Sequence, residues 1–141
     1  MMNDNFNNNM RILLFDWMSE VAHDFEMTRT TFHKSLKLLD KFLSKKSISK
    51  EQLQLYGAVC LSLAVKIDEV YCPYLKDFVK AGGCCFTEED IELGEIDLCQ
   101  TLDWQIGSTN FAEIANYISV LWDRYITKGL SVYFDKKISY E

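Results

Sequence analysis

A single proline, Pro73, and six glycines are the strongest breakers in 141 residues, so this chain has little with which to interrupt a helix. Between those breakers apolar residues recur at three-to-four spacing, the period of helices packed on one face. The expected fold class is all-α. Met1 to Asn9 is Asn-rich with little apolar content and is expected to be a disordered tail.

A first helix is expected over about Met10 to Phe25. A second starts at the N-cap candidate Thr28 and carries Phe32, Leu36, Leu39 and Leu43. The third opens on Ser49-Lys50-Glu51-Gln52, where Gln52 can reach back to the Ser49 amide, and places Leu55, Val59, Leu63 and Val70 on one stripe. A short helix from Tyr74 to Lys80 follows Pro73 and ends at Gly82-Gly83. Thr87 caps a fifth, with Glu88, Glu89 and Asp90 suiting the positive end of its dipole and Ile91, Leu98 and Leu102 forming its stripe. Asn110, with Glu113 three residues on, caps a sixth over about Phe111 to Tyr125; Thr127 to Glu141 shows no clear period. Five helices joined by short links imply a compact orthogonal bundle with one more helix behind it.

Composition removes several function classes. Hydrophobic residues at 48% and charged residues at 26% are the balance of an ordinary globular domain. The net charge of -6 argues against nucleic acid as partner, since phosphate binding needs a basic face. Lys45-Lys46 and Lys136-Lys137 read as solvated surface. Cys60 and Cys99 fall inside apolar patterns and read as core, whereas Cys84-Cys85 follow two glycines in a connection. No zinc-type spacing, Ser/His/Asp set or phosphate loop appears, and Asp68-Glu69 read as a solvated helix end, so neither metal nor cofactor nor catalysis is expected. No apolar run approaches a membrane span of about 20 residues, and no secretory leader pattern is present. The expected location is intracellular.

Four charges interrupt the apolar stripes. Lys66 follows Leu63 by three, and Glu95 follows Ile91 by four, so both point with the buried faces of their helices. An isolated buried charge is costly. Either the two meet at a rim between helices, or Lys66 snorkels outward and Glu95 edges the surface. Arg11 and Asp40 repeat the pattern, and a bidentate bond between them would fix the crossing of the first two helices. Helix one is also apolar on a second side, through Met10, Leu13 and Trp17. That stripe is either buried or an exposed docking groove.

These residues together resemble the cyclin family. Met10-Arg11-Ile12-Leu13-Leu14-Phe15-Asp16-Trp17 resembles the MRAIL-type opening of the cyclin box of cell-cycle cyclins. Leu39-Asp40-Lys41-Phe42-Leu43-Ser44 resembles LDRFLS, Leu53-Gln54-Leu55-Tyr56-Gly57 resembles LQLVG, and Ala64-Val65-Lys66-Ile67-Asp68-Glu69 resembles AAKFEE. The likeness continues through Pro73, Asp77-Phe78-Val79 and Glu95 to Leu102-Asp103-Trp104. It spans about Met10 to Ile106 and includes the five box-defining positions Arg11, Asp40, Leu55, Lys66 and Glu95.

The resemblance implies a cyclin box over 10–106, with 107–141 an extra helix and tail that could begin a second box. It implies a non-catalytic partner that activates a cyclin-dependent serine/threonine protein kinase. Lys66 and Glu95 would hydrogen-bond the kinase backbone beside its PSTAIRE-type C-helix, with Leu63, Ile67, Cys99, Trp104 and Ile106 supplying apolar contacts. Met10, Leu13, Leu14, Trp17, Leu53 and Gln54 would line a groove for RxL-type substrates or inhibitors, with Glu20 meeting their basic residue. A nuclear or cytoplasmic location follows. Gly94 and Cys99 stand where the family has larger residues on the interface helix, and no kinase-packing helix is read before the box. Two alternatives remain: a cyclin-like decoy that binds without activating, and a transcription-factor-type cyclin fold on DNA, which the acidic charge disfavours.

Overall fold

Helix α3 (Leu53–Asp68) is buried at every residue from Tyr56 to Val65, and its composition explains why. A helix apolar on all sides can be stable only inside a ring of others. The computed structural model describes residues 8–107 and 111–138, with side chains placed at 9–107 and 113–133. Packed on α3 are α1 (Asn8–Asp24), α2 (Arg29–Lys45), α4 (Leu75–Ala81) and α5 (Glu88–Thr101). A second unit begins after Ser108 and consists of α6 (Phe111–Ile138). No strand occurs among the described residues, so the fold class is all-α as expected.

The ends of these helices follow local chemistry. Thr28 caps α2 by accepting from the Thr31 amide at 3.3 Å. Gln52 accepts from the Ser49 amide at 3.2 Å, and a 3₁₀ turn over Lys50–Gln52 leads into α3. At α5 the Thr87 amide donates to Asp90 at 2.8 Å while the Thr87 hydroxyl accepts from the Asp90 amide at 3.2 Å, a reciprocal capping box.

Three boundaries differ from the sequence reading. Helix α1 begins at Asn8, so the end of the expected Asn-rich tail is helical; residues 1–7 lie outside the described residues. Helix α3 ends at Asp68, and Val70 is 90% exposed rather than part of the buried stripe. Its chain is already extended at Glu69, on the way to Pro73, and helical periodicity stops applying there. Helix α6 continues to Ile138, past the expected end at Tyr125. Gly129 is its sole breaker beyond that point, and Thr127 satisfies its hydroxyl locally by donating to Asp123 O at 2.7 Å. The proposed Asn110 cap lies outside the described residues.

The core joins Leu14, Met18, Val21 and Ala22 of α1 to Leu38, Leu39 and Phe42 of α2, with α3 between them and Ile91, Leu98 and Leu102 closing the far side. Phe42 stacks on Tyr56, ring centroids 4.5 Å apart. Cys60 is fully buried, as its apolar setting implied, and burial pushes its thiol pKa up.

Ion pairs tie α2 into this bundle. Arg11 Nη2 stands 2.7 Å from both oxygens of Asp40, bonding Oδ2 while Oδ1 stays buried without a directed donor. The pair forms as expected, but through a single nitrogen instead of the guanidinium fork, and the guanidinium also lies 5.0 Å over the Phe15 ring. Burial raises the Asp40 pKa, outweighing the pull of Arg11. The second pair adds to an expectation. Asp68 and Glu69 do end α3 at the surface, yet both are bonded: Asp68 binds the buried Lys34 at 2.5 Å, and Glu69 accepts from the Thr28 amide at 2.9 Å and the Thr31 hydroxyl at 2.6 Å. The C-terminus of α3 therefore supplies the negative charge that the N-terminus of α2 favours.

Candidate functional site

Lys66 lies in the last turn of α3 and Glu95 in the middle of α5, and the packing of those helices brings them together. Lys66 Nζ is 2.7 Å from each oxygen of the Glu95 carboxylate. The Lys66 side chain is 44% exposed and that of Glu95 15%, so the pair sits at a rim with its lysine end in water. Of the two arrangements open to the sequence, the paired one is adopted.

The hydrogen-bonding capacity of the pair is not used up. Lys66 has three protons and directs two hydrogen bonds at Glu95. Glu95 Oε1 accepts from Lys66 and, at 2.8 Å, from the Ser62 hydroxyl, whereas Oε2 accepts from Lys66 alone among the described residues. One donor and one acceptor therefore stand side by side at the surface. A backbone carbonyl and amide of another chain complement that arrangement.

The apolar residues that the resemblance groups with this pair lie at two depths. Ile67 is 40% exposed and Trp104 65%, while Ile106 is half-buried against the core. Leu63 and Cys99, grouped with them by the resemblance, are buried, one helical turn before Lys66 on α3 and one turn after Glu95 on α5. Burial raises the Cys99 thiol pKa, with the Glu95 carboxylate adding to it, so this sulfur behaves as a small hydrophobe. Trp104 is held out by strained backbone: Asp103 and Trp104 are both left-handed, at φ 51° and 60°, a conformation that costs non-glycine residues about 1 kcal/mol each. The Trp104 amide closes the turn on Cys99 O at 2.8 Å, and Lys45 binds Asp103 at 3.1 Å.

Gly94, which stands where the resemblance expects a larger residue on the interface helix, packs inward on α5. It is buried and faces Val59 of α3, where an added Cβ would stand 2.7 Å from Val59 Cγ2. The small residue is a requirement of helix approach. On the far side of α5, Asp97 accepts from Lys46 at 2.6 Å and from the Tyr56 hydroxyl at 2.5 Å. Burial opposes the charge on Asp97, yet the bonds from Lys46 and Tyr56 prevail and lower its pKa. Asp97 did not stand out in the sequence, and Gly94 stood out only as a departure from the family pattern, because their partners belong to other helices.

A second surface lies at the other end of α3. Trp17 of α1 is half-buried, its indole nitrogen donating to Ala81 O at 3.3 Å. Beside it Gly57 allows the approach: a Cβ there would be 3.1 Å from Leu14 and 3.3 Å from the Trp17 ring. Leu14 and Leu53 are buried and Met10 and Gln54 partly so, while Leu13 is 68% exposed and Glu20 lies in solvent. The second apolar stripe of α1 is thus divided, its base in the fold and Leu13 on the outside. Thirteen residues separate Leu53 from Lys66, about 20 Å along the helix and about 220° around it. The two surfaces are separate.

A central apolar helix ringed by four others, with a lysine–glutamate pair where two of them meet, defines an all-helical bundle with a polar site on its rim. The model of the cyclin N-terminal domain matches residues 1–107. Cyclin-B of Patella vulgata is 36% identical over 98 residues, covering 70% of this chain and 24% of that protein. Cyclin-E of Drosophila melanogaster is 40% identical over 100 residues, 69% of this chain and 14% of that protein. Cyclin-B1-1 of Oryza sativa is 30% identical over 125 residues, 89% of this chain and 26% of that protein. The structure of a viral cyclin from herpesvirus saimiri superposes with a TM-score of 0.68 at 28% identity, covering 74% of this chain and 45% of that one. The chain belongs to the cyclin family, whose members are regulatory subunits. It spans about a quarter or less of the length of these curated relatives.

Proposed function

We propose that this chain binds and activates a cyclin-dependent serine/threonine protein kinase by positioning its PSTAIRE-type C-helix, and performs no chemistry itself. The observation that carries the reading is the Lys66–Glu95 pair with its unspent donor and acceptor, and the exposed Ile67 and Trp104 are assigned to the same surface. Such a pair suits the backbone at the end of a kinase helix, and the exposed tryptophan suits an apolar pocket next to it. Binding that favours the inward position of that helix completes the Lys–Glu pair holding ATP, and so raises the rate. The box at 10–106 supplies both surfaces, and 107–141 carries α6 outside it. The groove around Leu13 and Trp17 is assigned to RxL-type substrates or inhibitors, with Glu20 placed to meet their basic residue. The net charge of -6 supports a protein partner over nucleic acid.

The test mixes the chain with an inactive PSTAIRE-type kinase and measures phosphoryl transfer to a peptide, alongside the Lys66→Ala/Glu95→Ala variant. A rate increase that the double variant loses while keeping its helical circular dichroism is the expected result. Binding without a rate increase would make the chain a docking or decoy protein. Absence of binding would sink the kinase reading.

A further inference from the structure

Ser62 is the only hydroxyl-bearing residue between Gly57 and Val65, and it is 2% exposed. A buried hydroxyl needs a partner, and a serine within a helix commonly finds one in its own preceding turn. Ser35 does so on Phe32 O, Ser44 on Lys41 O and Thr127 on Asp123 O. Ser62 departs from that habit. Its hydroxyl crosses to the neighbouring helix and meets Glu95 Oε1 at 2.8 Å.

We infer that Ser62 is a positioning residue that locks the Glu95 carboxylate for its partner, a role that rests on the kinase-binding reading above. Lysine alone is a poor anchor, because an ammonium on a flexible stem imposes little direction on the carboxylate it attracts. Ser62 adds a second, buried attachment one helical turn before Lys66. With Oε1 held by Ser62 and Lys66 together, Oε2 is the oxygen with accepting capacity left for a partner's amide. So short a side chain can span the gap only because the helices are close, as Gly94 allows against Val59.

The experiment is a double-mutant cycle of Ser62→Ala and Glu95→Ala, read both by urea unfolding and by calorimetric binding to a PSTAIRE-type kinase. Ser62→Ala should weaken binding about tenfold, equivalent to about 1.4 kcal/mol, and should weaken it no further once Glu95 is alanine. The urea cycle should show coupling between the two positions. Equal losses with and without Glu95 would mean that Ser62 acts through general stability, which overturns the inference. Wild-type binding by Ser62→Ala would overturn it too while leaving the kinase reading intact. A wild-type chain that binds no such kinase would remove the reading and this role together. Should the alanine variant fail to fold, Ser62→Cys keeps the side-chain shape with a somewhat larger atom that is only a weak donor, and should fall between the two affinities; wild-type affinity would count against the inference.

Discussion

Gly94 lies so near Val59 that a Cβ added to it would stand 2.7 Å from Val59 Cγ2. The branched valine is rigid at its first side-chain torsion and cannot swing aside. Gly94→Ala should therefore push α5 away from α3 and destabilise the domain by about 1–3 kcal/mol, despite the better helix propensity of alanine. Val59→Ala in the same chain should recover much of the loss. Urea unfolding of the two single variants and the double variant checks this, and an alanine at 94 that stabilises would contradict the packing described.

Glu69 connects the end of α3 to the start of α2, and its pKa is lowered chiefly by the Thr31 hydroxyl and the Thr28 amide. A lowered carboxyl pKa adds stability above the ordinary value of 4.5 and loses it as pH falls through the folded-state value. Glu69→Gln retains an acceptor but no charge. At neutral pH it should be less stable by no more than about 1 kcal/mol, since water screens a partly exposed carboxylate. That gap should narrow as pH falls below 4.5. Unfolding midpoints across the range test it, and parallel profiles would show that the charge contributes nothing.

Leu13 is the cleaner probe of the α1 groove, being 68% exposed where Trp17 is anchored to Ala81 O. Leu13→Asp should lower affinity for an RxL peptide by more than about tenfold while leaving thermal stability within about 0.5 kcal/mol. Fluorescence anisotropy with a labelled peptide and its scrambled control measures this. Undiminished binding would remove the groove assignment. Trp17→Ala would lower stability as well, because the indole packs beside Gly57 and holds α4.

Much of the bundle was legible along the chain. The caps at Thr28 and Thr87 and the buried stripes of α2 and α5 depend on neighbours within a few residues, which sequence spacing reports directly. Both rim pairs were legible as charges on apolar stripes, although for Lys66 the spacing left pairing and snorkelling open. Ser62, Asp68 and Asp97 were not legible. Each is an ordinary residue on its own helix and gains its role from a group 33, 34 or 41 positions away. The left-handed turn that exposes Trp104 was equally silent, since glycine usually marks such backbone and none occurs there.

By itself this amino-acid sequence determined the helices, their caps and which faces seek the interior, because hydrogen bonds and side-chain periodicity are settled within a few residues. Tertiary structure decided the rest: how closely α3 and α5 approach at Gly94, that Lys66 and Glu95 meet with donor and acceptor to spare, and that Ser62 turns from its own helix to Glu95. Those outcomes require two surfaces to be in register, and the residue spacing along one helix does not encode where the other helix lies. Periodicity says that a charge faces inward; only packing says what it finds there.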